Sequence, residues 1–347
     1  MKPLLIPAIG LAIGIACAGC TKSGKTPIVV YSPHGKEMLS SFARAYEEIH
    51  PEGEVEWLDM GSQDVYDRVR TEKENPQADI WWGGPMTSFS RAEREGLLER
   101  YVPAWDSLCV PAYRSPGKFW YGTFLTPEVI MYNSNRITPA QAPKDWDDLL
   151  DPAWRGKIVI RSPLASGTMR IIFSSMILRE MQRGGSSGSA FDWLRKLDAN
   201  TKTYAADPTQ LYIAIAREEG LVTLWDLPDV MLQVEAHHYP FAYVLPASGT
   251  PLITDGIALV HGAKHPDEAK RFYEFVTSRA SMTRQAREFF RIPARSDIPR
   301  SDLPPWMRTL EIRPLPVDFD TLAAREKDWM KTWDEKVRGR GGEPWPG

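Results

Sequence analysis

The sequence predicts an α/β fold built as two blocks. Three observations carry it. Short β-rich runs alternate with helical patterns over residues 28–82, and the alternation begins again with different content at Gly156. Between and after them lie two extended, strand-like segments, 124–133 and 243–255, with no polar linker long enough to let the blocks drift apart. Those segments are the natural crossings. Two crossings make the first block discontinuous, so residues after about 255 are expected to return to it. The division is residues 28–125 in the first block, 126–250 in the second, and 251–347 as the return and the C-terminal helices.

Each element has its own signal. Ile28-Val29-Val30-Tyr31 is apolar and β-branched, which suits a buried strand. Leu39, Phe42, Tyr46 and Ile49 then fall on one face of a helix. Residues 54–58 alternate like a second strand, and Val65 and Val69 mark a helix over the polar stretch 62–73. Residues 78–82 form a third strand ending in Gly83-Gly84-Pro85. In the second block 156–160 is a strand, 169–181 an apolar helix, 190–197 another helix, and 220–225 a further strand. Residues 255–260 read as a strand backed by a helix over 266–278. A Pro-rich passage, 298–316, leads to an amphipathic helix carrying Leu322, Trp329 and Trp333.

The N-terminus places the protein outside the cytoplasm. Lys2 precedes an uncharged, mostly apolar stretch to Ala18 that stops at Gly19-Cys20, the pattern of a secretory signal over 1–19 with a tether over 20–27. That stretch is short and rich in Gly and Pro, whereas a membrane span needs roughly 20 apolar residues. The 347 residues carry a net charge of −3, and removing 1–19 takes away one positive charge, Lys2, leaving −4. Such a balance argues against a nucleic-acid partner. Of the three cysteines, Cys17 and Cys20 fall in the leader region, so Cys109 has no partner and core packing alone must hold the fold.

Three loops join a strand end to a helix start, where open α/β sheets bind ligands through unpaired amides. Ser166-Gly167-Thr168 offers hydroxyls, amides and a helix dipole to an oxyanion, with Arg161 and Arg170 close enough in sequence to add charge. The same serine also suits a plain helix cap. Ser32-Pro33-His34-Gly35 presents a histidine that could meet a ligand, a metal or only solvent. Gly83-Gly84 offers bare backbone after Trp81 and Trp82, which point to opposite strand faces, so at most one lines a cleft. Hydrolase signatures are poor: HExxH is absent, and the GxSxG string at 184–188 falls in a flexible Gly/Ser loop and makes no nucleophile elbow. The GxxxxGKT string at 19–26 straddles the leader's end and the tether and makes no P-loop, and Glu235 with His237-His238 reads as a surface loop.

Taken together, these residues resemble a known family. Residues 30–37 (VYSPHGKE), 78–82 (ADIWW), 146–157 (WDDLLDPAWRGK) and 255–260 (DGIALV) are similar to the family 1 extracellular solute-binding proteins of bacterial ABC importers, in the ferric-iron-binding branch. The resemblance covers essentially the whole mature chain. It implies a two-lobed periplasmic-binding-protein fold of type II, with hinge strands between lobes that close on a small solute. It also implies an ABC permease as partner, no chemistry on the solute and a monomer. Cys20 after Ala18-Gly19 resembles a lipobox, implying a lipid anchor and a periplasmic or cell-surface location, although Cys17 stands where that motif prefers Leu. In iron-binding members a histidine, an acidic residue and two tyrosines hold Fe³⁺ with an anion. Here His34 matches the histidine, while the acidic position falls at Gly84 and the tyrosine pair at Trp225-Asp226.

Ser166-Gly167-Thr168 matches the anion loop. His34 and Asp226 alone are a thin set for a hard trivalent ion. The expected solute is therefore a small anionic or polar one: organophosphonate, sugar phosphate, carboxylate or iron chelate. Its expected contacts are Ser32, His34, Gly35, Trp82, Gly83, Gly84, Ser166, Gly167, Thr168, Trp225 and Asp226. A ferric-iron binder with a different ligand set, and a secreted hydrolase using His34 or His237, are the alternatives.

Overall fold

The computed structural model describes residues 25–343, so the leader, Cys17 and the candidate lipid-bearing Cys20 lie outside the described residues. Strands are β1 (Thr26–Ser32), β2 (Gly53–Asp59), β3 (Ile80–Pro85), β4 (Leu98–Glu99), β5 (Tyr121–Asn133), β6 (Ile158–Arg161), β7 (Thr201–Ala205), β8 (Val222–Asp226), β9 (Phe241–Val244), β10 (Leu252–Val260) and β11 (Ile292–Pro293). Helices are α1 (Lys36–Ile49), α2 (Ser62–Thr71), α3 (Met86–Arg94), α4 (Gly167–Gln182), α5 (Ser187–Asn200), α6 (Pro208–Ala216), α7 (Leu227–Glu235), α8 (Pro266–Thr277), α9 (Arg279–Phe289), α10 (Pro305–Arg308) and α11 (Phe319–Lys336).

The strands join in the order β2-β1-β3-β10-β5-β8-β6-β7, with β4 on β10 and both β9 and β11 on β5. β1 runs parallel to β2 and β3, and β6 runs parallel to β7 and β8, so each lobe keeps the crossover logic read from the sequence. The two crossings are antiparallel. β5 pairs with β10 along its first half and with β8 and β9 along its second, so one strand belongs to both lobes. This is the two-lobed fold with hinge strands that the sequence led us to expect.

Three large cores follow from this layout. One face of the first lobe's sheet packs Phe42 and Tyr46 of α1 against Trp82 and Phe272, and the other packs Val65, Phe89 and Trp81. The period of two in β3 therefore does place its two tryptophans on opposite faces, and both are fully buried. The second lobe's core gathers Val129, Met131, Ile160, Ile172, Leu224 and Val230. Leu322, Trp329, Met330 and Trp333 of α11 belong to that same core, with Phe173 and Tyr204 edge-on to Trp333. The closing helix, which sequence order grouped with the return to the first lobe, thus packs on the second. The Pro-rich passage carries it there, the Leu315 amide donating to the Thr250 carbonyl and the Thr250 amide to the Arg313 carbonyl along the way.

Two local expectations are revised. Ile49 is 60% exposed, because α1 ends there and only Leu39, Phe42 and Tyr46 of its stripe reach the core. The third strand does not end before its glycines but runs through them to Pro85, with Gly83 at φ 104° and Gly84 at φ 97°. Cys109 is a free, buried thiol that burial pushes up to about 11.

Candidate functional site

The first-lobe wall is built by β1, β3 and the loops that follow them. Ser32 is fully buried, and its hydroxyl accepts the His34 amide at 3.2 Å, fixing the turn that aims the imidazole inward. His34 lies edge-on to Phe124 at 5.0 Å and to Trp82 at 6.0 Å. A methyl group on Gly83 would come within 2.3 Å of His34 Nε2, so only glycine admits the ring there. Nε2 is sealed and has no hydrogen-bond partner. Burial, with the positive charge of Arg291 beside it, holds His34 well below its ordinary pKa, so the ring is a neutral one. Gly35 and Gly84 are less free than sequence suggests. Their amides donate to Asp59 at 3.3 Å and to Asp255 at 3.1 Å.

The second-lobe wall is the start of α4. Ser166 is the N-cap, its hydroxyl accepting the Met169 amide at 3.3 Å, so the cap reading holds for the side chain. The Gly167 and Thr168 amides, one turn deep in the dipole, have no partner among the described residues. A methyl group on Gly167 would lie 3.1 Å from both Pro85 and Ser62, so the two lobes meet here in close contact. Neither nearby arginine serves this turn. Arg161 donates to the Ala206 carbonyl, and Arg170 donates to the Leu164 carbonyl at 2.8 Å and faces a separate cavity.

The floor was largely missed from sequence. Glu128 on β5 lies opposite Asp226 on β8, and Asp255 on β10 lies opposite Phe124. Period two in β5 then puts Phe124, Thr126 and Glu128 on one face, where Thr126 donates to Asp255. Glu128 is fully buried, and neither carboxyl oxygen has a partner. Burial, then the neighbouring carboxyls of Asp226, Asp255 and Asp229, pushes it well above the usual carboxylate range. Asp226 caps α7 by accepting the Asp229 amide at 2.9 Å, and burial raises it well above its ordinary value too, with Asp229 adding to the rise.

Arg291 closes the arrangement. It follows the left-handed cap residue Phe290 at the end of α9, immediately before β11, and pairs with Asp229 at 2.9 Å. Burial disfavours its charge, yet Asp229, Asp226 and Asp255 outweigh that and hold it above its usual value. Trp225 is a core residue whose indole N–H donates to Tyr212 at 3.0 Å. Trp82 is likewise sealed in its core. The structure thus brings His34, Gly83 and Gly84 to Asp255, Arg291 and Asp226, with the α4 turn reaching them through Pro85. Gly35 and the two tryptophans support that centre rather than line it. Among the described residues, no three His, Cys, Asp or Glu side chains are placed to hold one metal ion.

A match to bacterial extracellular solute-binding proteins spans residues 41–309. The chain belongs to this family. A probable ABC-transporter periplasmic-binding protein of Sinorhizobium fredii is 27% identical over 94% of this chain and 92% of its own length. A putative 2-aminoethylphosphonate-binding periplasmic protein of Salmonella typhimurium is 28% identical over 72% of each chain. The fructose-6-phosphate-bound AfuA of Actinobacillus pleuropneumoniae superposes with a TM-score of 0.79 at 22% identity, covering 90% of this chain and 99% of that one. The protein is therefore a solute-binding component of an ABC importer, from a family that works outside the cytoplasm and has a permease as its partner.

Proposed function

We propose that this solute-binding protein captures an organic phosphorus oxyanion, an organophosphonate or sugar phosphate, between its lobes and hands it unchanged to the permease. One observation carries the reading: the unpaired Gly167 and Thr168 amides open α4 directly against the first-lobe wall. The floor supplies the other end of the site. Glu128 and Asp226 favour the neutral carboxyl form, which exchanges hydrogen bonds with a hydroxyl or amine but is a poor ligand for a hard cation. The solutes named for the Salmonella relative and bound in AfuA are two-ended in the same sense. Ser32, His34, Gly83, Gly84, Ser166, Gly167, Thr168 and Asp226 form the working site. The chain acts as a monomer tethered through Cys20, since one acyl chain binds marginally and further chains anchor stably.

Thermal unfolding across 2-aminoethylphosphonate, fructose 6-phosphate, citrate and ferric citrate tests this. A ligand at 100 times its dissociation constant adds about 2.7 kcal/mol, and one of the first two should do so. A shift with ferric citrate alone, accompanied by a visible charge-transfer band, would replace the reading with ferric-iron binding.

A further inference from the structure

A second charged feature lies at the seam between the lobes, outside the solute site. A cavity of about 360 Å³ opens between α2 and α3 of the first lobe and α4 and α11 of the second. Its lining carries Arg70, Arg91, Arg170, Lys327 and Lys331 against the carboxylates of Asp67 and Glu95. Those two are already engaged, Asp67 with Arg70 at 3.3 Å and Gln63 at 2.9 Å, and Glu95 with the Tyr66 hydroxyl at 2.6 Å.

The deepest cations are under-satisfied. Arg170 is only 8% exposed, and its Nε has no partner. Arg91 lies 3.7 Å over the Tyr66 ring, also with a sealed, unpartnered Nε. Its remaining contacts are long, 3.4 Å to Gln63 and 3.5 Å to Glu326. Glu326 is the one buried carboxylate shared by the pair, and one of its oxygens is unpartnered. Burial pulls Arg170 below its usual value, and Arg91 adds to that. Buried Arg170 and half-buried Arg91, from opposite lobes, share Glu326 as their buried acid, while the five cations of the lining face only Asp67 and Glu95. Positive charge is thus left in excess, and a planar fork of donors matches an oxyanion.

We propose that this seam cavity binds a phosphate-class oxyanion that bridges Arg91 of the first lobe and Arg170 of the second, and so holds the lobes together. The site is separate from the solute cleft, and the proposal does not depend on which solute the cleft takes. A bound anion favours closure by as much as it prefers the closed form over the open one. Its source is free phosphate and not the phosphoryl end of a solute reaching out of the cleft, and the experiment tells these apart.

Calorimetric titration of the mature chain with inorganic phosphate should show one site. Affinity should fall at least tenfold in Arg91→Gln and by a smaller factor in Lys331→Gln, whose side chain is 73% exposed and tolerates replacement. Saturation with 2-aminoethylphosphonate, which fills the cleft, should not displace the phosphate. Small-angle scattering should show phosphate compacting the wild type but not Arg91→Gln. No binding by about 10 mM phosphate would overturn the proposal. So would unchanged binding in Arg91→Gln, or displacement by 2-aminoethylphosphonate, which would put the anion in the cleft.

Discussion

Glu128 is a carboxyl group kept from water and from every hydrogen-bond partner, so its proton couples folding to pH. Its folded pKa is raised, so below the unfolded value near 4.5, where both states hold the proton, it adds no pH dependence. As pH climbs through the window above that value, the unfolded chain releases a proton the native one keeps, and stability falls. The slope is about 1.4 kcal/mol per pH unit. Replacing Glu128 with Gln should abolish it, so urea unfolding of E128Q and wild type should diverge from pH 5 to 7 in favour of the variant. His34 acts with the opposite sign. Its depressed pKa gives stability that is present above its ordinary 6.5 and is lost as pH falls below it. His34→Gln should therefore flatten the acid limb of the same profile, and an unchanged limb would mean the ring takes up its proton equally in the folded and unfolded chains. Gly83 sets the geometry of the first-lobe wall. Gly83→Ala forces a methyl into His34 at a backbone angle that disfavours side chains, and calorimetry should show a loss of about 1–3 kcal/mol.

Individual elements show which parts of the chain announce themselves. Helix α4 is legible from Ser166 onward because a cap residue precedes a long apolar run, and Ser166→Ala should cost about 1 kcal/mol in thermal unfolding. Strands β1, β2, β3, β6, β8 and β10 were readable as β-rich runs bounded by polar or glycine residues. Short strands were not: β4, β9 and β11 are two to four residues long and exist only because β5 and β10 offer edges to pair with. The site divided in the same way. Loops at strand ends could be named from sequence, since local residue order marks them. Strand pairing brings Glu128 to Asp255 and Arg291, each more than a hundred residues further along the chain, and no spacing rule reports that. A usable signal did exist: Glu128 is the one charge inside the apolar run 124–132, and Arg291 stands between Phe290 and Ile292.

At the scale of the molecule, α11 is an element that touches both lobes. Its tryptophans sit in the second lobe, while Glu326 pairs with Arg91 on the first. Trp333→Ala should cost about 3–5 kcal/mol in denaturant unfolding, because the ring is wholly buried. Its loss should also free α11 from α4, raising amide exchange along 319–336 more than along α1. If exchange rises equally everywhere, the helix is no independent strut.

The long reach of β10 has a consequence for how the chain is delivered. Strand β3 can pair with β1 as soon as residue 85 is available, but its other neighbour arrives only with residues 255–259. The first lobe therefore stays unfinished until about three-quarters of the polypeptide exists, and closure of so long a loop is slow. For a chain that leaves the cytoplasm, late completion keeps it threadable during passage. Moving β10 next to β3 by circular permutation should speed refolding, and it should also make the precursor jam at the export channel.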